Sequence, residues 1–162
     1  SLCLCLGSSL PAQAGALDLA AFFTGHLRAN GKFQNFSDGT TLGINVDVRG
    51  ERLGKQFRIT MNTAFSDGRR ERKVWAFQRT GDGRYSGRRS DLVGTASVVV
   101  RGNKVSMSYV AKVPTKSGKT FNVAFVESYQ FSPSGRGTQS IRASVLSIPV
   151  GQGSLVIQKL AK

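Results

Sequence analysis

Apolar and polar residues alternate along most of this chain, and this period of two constrains its fold more than any other feature. The clearest run covers residues 41–49, in which one face is apolar and the other polar. Its apolar positions are Leu42, Ile44, Val46 and Val48. Such alternation is typical of β-strands that bury one face. Nine or ten similar runs follow one another, separated by turns at pairs such as Asp67-Gly68 and Asp82-Gly83.

Long antiparallel hairpins with one apolar face predict a sheet that curls and closes, because closure removes its unpaired edge strands. We therefore predict an all-β fold, an antiparallel up-and-down barrel of about 8–10 strands. Glycine is frequent, at 19 residues, and proline is rare, at 4, which suits many tight turns. The only helical candidate spans residues 16–23, where Asp18 is a suitable N-cap. We expect this short helix to plug one end of the barrel.

Residues 1–14 have the features of a secretory signal peptide, an uncharged apolar run followed by Ala12-Gln13-Ala14. We expect the chain to begin within that signal and residues 15–162 to form a single β-barrel domain. The apolar run is shorter than the roughly 20 apolar residues that span a bilayer. Cys3 and Cys5 both fall in this segment, and each follows a leucine where lipid attachment needs a small residue. The prediction is an exported, periplasmic protein without a membrane anchor.

The formal net charge of the chain is +14, from 23 basic and 9 acidic residues. This excess raises affinity for polyanions, although it also serves solubility. A hairpin that turns at Asp82-Gly83 brings two basic segments together beside Trp75 and predicts a basic patch. Its members are Arg69, Arg70, Arg72, Lys73, Arg88 and Arg89. The patch either binds anionic envelope components or is a solvated face, and export argues against nucleic acid as the natural partner.

The sequence offers little for catalysis or metal binding. His26 is the only histidine, which excludes a two-histidine metal site and a standard catalytic triad. No metal, cofactor or catalytic residue is therefore predicted. Glu127 stands out among the acidic residues because it shares an apolar face with Phe125 and Tyr129. If that face points inward, the carboxyl is a polar anchor for a ligand, a general acid or half of a buried ion pair; the alternative is an outward, solvated face.

Two stretches carry a family resemblance: LDLAAFFTGHLRANGKF at residues 17–33 and SDGRRERKVWAFQRTGDGRYSGRRSDLVGTA at residues 66–96. They resemble the hallmark segments of the bacterial family called domain of unknown function 3833. The resemblance implies an exported, often lipid-anchored envelope protein with a calycin barrel like that of the lipocalins. The family has no assigned activity, so it implies no functional residues. This chain departs from the family in its strongly basic charge and its lack of a lipid-attachment cysteine.

The sequence favours a binding protein over an enzyme, since no catalytic motif is present. The leading hypothesis is a barrel that holds an apolar or amphipathic, lipid-like ligand. Its predicted ligand-binding residues are Trp75, Phe77, Phe121, Phe125, Glu127 and Tyr129. One alternative is an envelope interaction protein that uses its basic face on anionic partners. The other is an enzyme that uses Glu127 as a lone buried carboxylate, with Tyr109 or Tyr129 nearby.

Overall fold

The computed structural model describes residues 17–161. The predicted signal peptide at residues 1–14 lies outside the described residues. One short helix, α1 (Leu19–Phe23), precedes ten strands. The strands are β1 (Gly25–Asn35), β2 (Thr41–Leu53), β3 (Gln56–Phe65), β4 (Arg70–Gly81), β5 (Arg84–Arg88), β6 (Leu92–Arg101), β7 (Lys104–Pro114), β8 (Thr120–Phe131), β9 (Arg136–Val145) and β10 (Ile148–Lys159).

Each strand pairs with its neighbours in sequence, and β1 pairs with β10, so the sheet closes into a barrel. All pairings are antiparallel. The closing pair runs from Leu27 opposite Lys159 to Asn35 opposite Gly151. Closure removes the two free edges that an open sheet would expose. The predicted all-β, up-and-down barrel with one short helix is confirmed.

The helix α1 covers one end of the barrel, which we call the plugged end. Asp18 is its N-cap and accepts a hydrogen bond from the Ala21 backbone N–H at 3.2 Å. The ring of Phe22 packs 4.1 Å from that of Phe131 on β8, measured between centroids. Lys159 Nζ donates to the Ala21 carbonyl at 2.9 Å and ties the last strand to the helix. The helix therefore seals this end with aromatic packing.

The opposite end carries the turns that join β1–β2, β3–β4, β5–β6, β7–β8 and β9–β10. We call it the open end, because in the described residues no helix lies across it. The core fills the barrel between the two ends, and its inward side chains come from alternate positions on each strand, as in Leu27 and Ala29 or Val46 and Val48. Within the described part of the chain, no helix has the length and apolar character needed to cross a bilayer.

Candidate functional site

An aromatic ladder runs through the interior of the barrel toward the open end. Phe57 stacks on Phe77 at 5.0 Å and Phe77 stacks on Trp75 at 5.1 Å, between ring centroids. Trp75 then meets the edge of Tyr109 at 5.2 Å, and Tyr109 stacks on Phe125 at 5.2 Å. Trp75 is on β4 and Tyr109 on β7, so this contact crosses the lumen. The aromatic ladder therefore fills the centre of the barrel.

Arg89, just after β5, lies against two rings of this ladder. Its guanidinium carbon lies 4.5 Å from the ring centroid of Trp75 and 5.1 Å from that of Tyr109, both within range of a cation–π interaction. Its Nε and Nη2 donate to the two carboxylate oxygens of Asp91 at 2.5 and 2.9 Å. The Arg89 side chain is only 6% exposed. A planar guanidinium suits this position, since it stacks on rings and binds a carboxylate in its plane.

The charges of Arg89 and Asp91 stabilise each other despite burial. Burial acts to lower the pKa of Arg89, but its hydrogen bond to Asp91 and nearby negative charge outweigh this effect and raise it. Burial likewise acts to raise the pKa of Asp91, but hydrogen bonding and charge from Arg89, with the charge of Lys73, lower it. Both groups are therefore ionised at neutral pH.

Lys73 connects this pair to solvent at the open end. Its Nζ lies 3.3 Å from Asp91 Oδ2 and 3.7 Å from Glu71 Oε2. The Lys73 side chain is 30% exposed, compared with 6% for Arg89. Lys73 is therefore the cation of this cluster that a molecule at the open end can reach.

Glu127 on β8 points into the barrel and is 5% exposed. Gln139 Nε2 donates to Glu127 Oε1 at 2.7 Å and to the Tyr129 hydroxyl at 3.0 Å. Burial raises the pKa of the Glu127 carboxyl, against the lowering effect of hydrogen bonds from Tyr109, Gln139 and Tyr129 and of the charge of Arg89. Burial and the nearby Glu127 also raise the pKa values of Tyr109 and Tyr129 well above their ordinary value.

The polar groups inside the barrel are paired with one another. Among residues 17–161, no buried side-chain nitrogen or oxygen lacks a hydrogen-bond partner. The Glu127 carboxyl therefore orients its neighbours through hydrogen bonds and is enclosed away from solvent. In the same residues, no group of three histidine, cysteine, aspartate or glutamate side chains is placed to hold a metal ion.

The six residues predicted to bind a ligand lie on strands β4 and β8, with their side chains on the inner side of the sheet. Trp75 is 3% exposed and Phe77 5%, so both belong to the packed centre. Glu127 is also enclosed, and Phe125 and Tyr129 are half-buried members of aromatic stacks. Phe121 differs from the others, since it is 45% exposed at the open end of β8. Of the six, it is the residue most available to a ligand.

The six residues predicted to form one basic patch do not share a surface. Lys73 and Arg89 face the interior at the open end. Arg70 and Arg72 are exposed on the outer wall of β4, and Arg88 is exposed opposite Ala76. Arg69 lies in the β3–β4 turn, where its Nε donates to Asp67 Oδ2 at 2.9 Å. The division follows from the pleat, because successive side chains of one strand point to opposite faces.

Two residues of the barrel interior, Gln139 and Arg89, were not correctly predicted from the sequence. Gln139 was not singled out, although it lies on the alternating face of β9 that includes Gly137 and Ala143, both buried. Arg89 was assigned to the basic patch. It lies two residues after Gly87 and four after Tyr85, which both point inward, so alternation places it on the same inner face. For both residues, the alternation of inward and outward side chains along the strand could have indicated the inward position.

Two surface depressions lie on the outer wall. One, of about 590 Å³, crosses β2, β3 and β4 and is lined by polar and charged residues such as Asn45, Asn62 and Arg72. The other, of about 420 Å³, crosses β1, β9 and β10 and includes Gln34, Arg142 and Gln152. Neither includes residues of the aromatic ladder, which agrees with a filled barrel centre.

The sequence matches the family described as "Protein of unknown function (DUF3833)" over residues 8–159. The match covers nearly all of the chain, so this protein belongs to that family. No curated protein matches the chain in sequence.

The solved structures that resemble this chain share little sequence with it. An S-type phycobiliprotein lyase, CPES from Guillardia theta, superposes with a TM-score of 0.63 at 9% identity, covering 88% of this chain and 92% of the lyase. EF1p2_mFAP2b, solved bound to DFHBI, gives a TM-score of 0.44 at 10% identity, covering 86% of this chain and 96% of that one. At such identity the similarity to the lyase establishes a shared lipocalin-like, calycin-type fold.

Proposed function

We propose that this protein binds a small apolar or amphipathic molecule at the open end of its barrel. The observation that carries the proposal is that Phe121, 45% exposed, lies at the open end of β8, on the same face as Phe125 of the aromatic ladder. An exposed aromatic side chain and a partly exposed cation, Lys73 on β4, at the same end of the barrel suit a ligand with an apolar body and an acidic group.

The filled centre of the barrel determines where such a ligand lies. Calycin barrels of this size hold side chains or one small ligand. Here the aromatic ladder and Arg89 occupy the middle of the barrel. The ligand therefore contacts the rim of the open end, which we call the mouth, instead of a deep cavity. Its acidic group would approach Lys73, because Arg89 is already bound by Asp91 through two hydrogen bonds.

The enzyme alternative has weaker support. The raised pKa of Glu127 resembles that of a general acid, but the carboxyl is enclosed and hydrogen-bonded by Gln139. A catalytic acid has to reach the proton acceptor of its substrate, and Glu127 is only 5% exposed. We assign Glu127 the role of organising the interior side of the site.

The proposal includes a location in the bacterial envelope, supported by the signal-peptide features of residues 1–14. Expression of the protein with its natural leader, followed by osmotic release of the periplasm, tests this part. Recovery in the periplasmic fraction after removal of a leader is the expected result. Recovery in the cytoplasm at full length would contradict it.

The test of ligand binding is gentle purification of the protein, extraction with organic solvent and mass spectrometry of the extract. We expect one class of lipid-like molecule in near-stoichiometric amount. An empty extract, together with no change in Trp75 fluorescence on titration with a fatty acid or a lysophospholipid, would overturn the proposal.

A further inference from the structure

The β9–β10 turn at the open end places an exposed leucine in a strained backbone conformation. Leu146 and Ser147 have φ values of 48° and 66°, and they are the only non-glycine residues of the described chain with positive φ. A two-residue hairpin with both central φ values positive favours Asn-Gly, because at positive φ the Cβ of other residues clashes with the backbone, and a bulky side chain such as leucine is rare there. Leu146 is 91% exposed, so packing within the molecule does not offset this cost.

Other large apolar side chains are exposed at the same end. Ile148, next to the turn, is 65% exposed, and Phe36 and Phe121 are 42% and 45% exposed. The Phe36 backbone N–H donates to the Val150 carbonyl at 2.9 Å, so the β1–β2 turn lies against the start of β10. We call Phe36, Phe121, Leu146 and Ile148 the apolar rim. Soluble monomers rarely cluster large apolar side chains on their surface without a binding role.

Two lysines stand beside the apolar rim. Lys116 and Lys119 lie in the β7–β8 turn, shortly before Phe121 in the sequence. Among the described residues neither forms an ion pair within 4.0 Å. Hydrogen bonds from Thr40 lower the pKa of the Asp38 carboxyl, and the charge of Lys116 also contributes, which places the β7–β8 turn near the β1–β2 turn. The apolar rim therefore combines exposed apolar side chains with the ammonium groups of two long, flexible lysine side chains.

The shape of the rim indicates the kind of surface that covers it. Its apolar residues lie on three separate turns or strand ends, so they present separate tips. A lipid bilayer accommodates such projecting side chains, since its interface is deformable. Lysines beside them place their ammonium groups at anionic headgroups while their stems follow the apolar side chains.

We propose that the apolar rim docks on an anionic phospholipid bilayer, with Leu146 and Ile148 inserted into the interface and Lys116 and Lys119 at the headgroups. The docking does not depend on ligand binding at the mouth. Where both occur, the mouth faces the bilayer and an amphipathic ligand passes directly from lipid to the barrel.

The test is flotation of the purified protein with vesicles of phosphatidylglycerol and phosphatidylcholine, compared with phosphatidylcholine alone. The informative variant combines Leu146→Asn with Ser147→Gly, which gives the turn its preferred residues and removes the apolar tip. We expect vesicle binding to fall about tenfold or more, as loss of one inserted leucine side chain implies. The thermal midpoint of unfolding should stay the same or rise, which separates lost docking from lost folding.

Leu53→Asn is the matched control, because Leu53 is 43% exposed at the plugged end. We expect it to bind vesicles like the wild type, and Lys116→Gln with Lys119→Gln to lose the preference for phosphatidylglycerol. Full vesicle binding by the Asn-Gly turn variant would overturn the proposal, since general positive charge would then account for binding. A concentration-dependent dimer that the same variant abolishes would also overturn it, by assigning the rim to a second copy of the chain.

Discussion

Arg89 and Asp91, two residues apart, form a doubly hydrogen-bonded ion pair at 2.5 and 2.9 Å inside the mouth of the barrel. Their arrangement joins the β5–β6 connection to the aromatic ladder, because the same guanidinium lies over Trp75 and Tyr109. The pair is therefore as much part of the core as the rings are.

Asp91→Asn should destabilise the fold by about 3 kcal/mol, the lower end of the cost of breaking a buried ion pair. Arg89 would keep its charge at 6% exposure without a balancing carboxylate. The lower end applies because Asp91 is 25% exposed and water replaces part of the interaction. Urea unfolding monitored by Trp75 fluorescence measures this change.

The double variant Arg89→Met with Asp91→Asn is the control for that experiment. Removing both charges leaves no unpaired ion, so we expect it to lose less stability than Asp91→Asn alone. Since the pKa of Asp91 is lowered in the fold, its stabilisation is present above its ordinary value of 3.8 and is lost as pH falls through the folded pKa. An Asp91→Asn variant as stable as the wild type would show that the pair is fully solvated.

Glu127→Gln should make the protein more stable at neutral pH. The folded carboxyl has a raised pKa, mainly through burial, so the folded state binds a proton that the unfolded chain has released above about 4.5. The stability of the wild type relative to the variant therefore falls as pH rises above that value and levels off above the folded pKa. The amide oxygen of the new glutamine accepts the same bond from Gln139.

Unfolding free energies of wild type and Glu127→Gln at several pH values between 4 and 9 check this prediction. The difference between the two proteins should grow with pH over the lower part of that range. If the free energies of unfolding of the two proteins changed with pH in parallel, the Glu127 carboxyl would have the same pKa in the folded and unfolded states. The barrel interior would then be more hydrated than the structure indicates.

Gly87→Ala should destabilise the fold by about 1–3 kcal/mol through overpacking of the aromatic ladder. An added Cβ would lie 2.7 Å from Phe77 Cε1 and 3.3 Å from the Ala96 Cβ. Gly81→Ala, in the same hairpin, is the control, because nothing lies within 4 Å of its added Cβ. We expect thermal unfolding to show a lower midpoint for Gly87→Ala only. Equal thermal midpoints for the two variants would mean that the Phe77 ring can shift away from the added methyl group without loss of stability.

Phe121→Ser should lower the amount of ligand that co-purifies with the protein, whereas Val126→Ser should not. The two apolar side chains are similarly exposed, at 45% and 51%, but Phe121 lies at the mouth and Val126 on the outer wall of β8. Mass spectrometry of extracts from equal amounts of protein compares them. Equal loss in both variants would indicate nonspecific adsorption of lipid to the barrel wall.

Many residues of the inner face of the barrel could be predicted from the alternation of apolar and polar residues along each strand. Alternation placed Phe125 and Glu127 on one face of a strand, and Trp75 and Phe77 on one face of another, without deciding which way the Glu127 face points. The structure turns both faces inward. Alternation is reliable here because a one-residue slip would turn every apolar side chain of a strand to solvent. The position of the helix and its Asp18 cap was also predictable, since capping depends on residues close in sequence.

The period of two and the turns could be predicted from the amino-acid sequence, and with them the barrel, because they depend on neighbouring residues. Which charges are buried and which apolar groups are exposed depends on the three-dimensional packing of the strands. Arg89 lies in a basic segment that resembles a solvated surface, and it is buried because β4 and β7 bring Trp75 and Tyr109 against it. Leu146 resembles a core residue, yet a tight turn leaves it 91% exposed, with no second layer to cover it. Burial is a property of the closed sheet, which forms from contacts far apart in sequence.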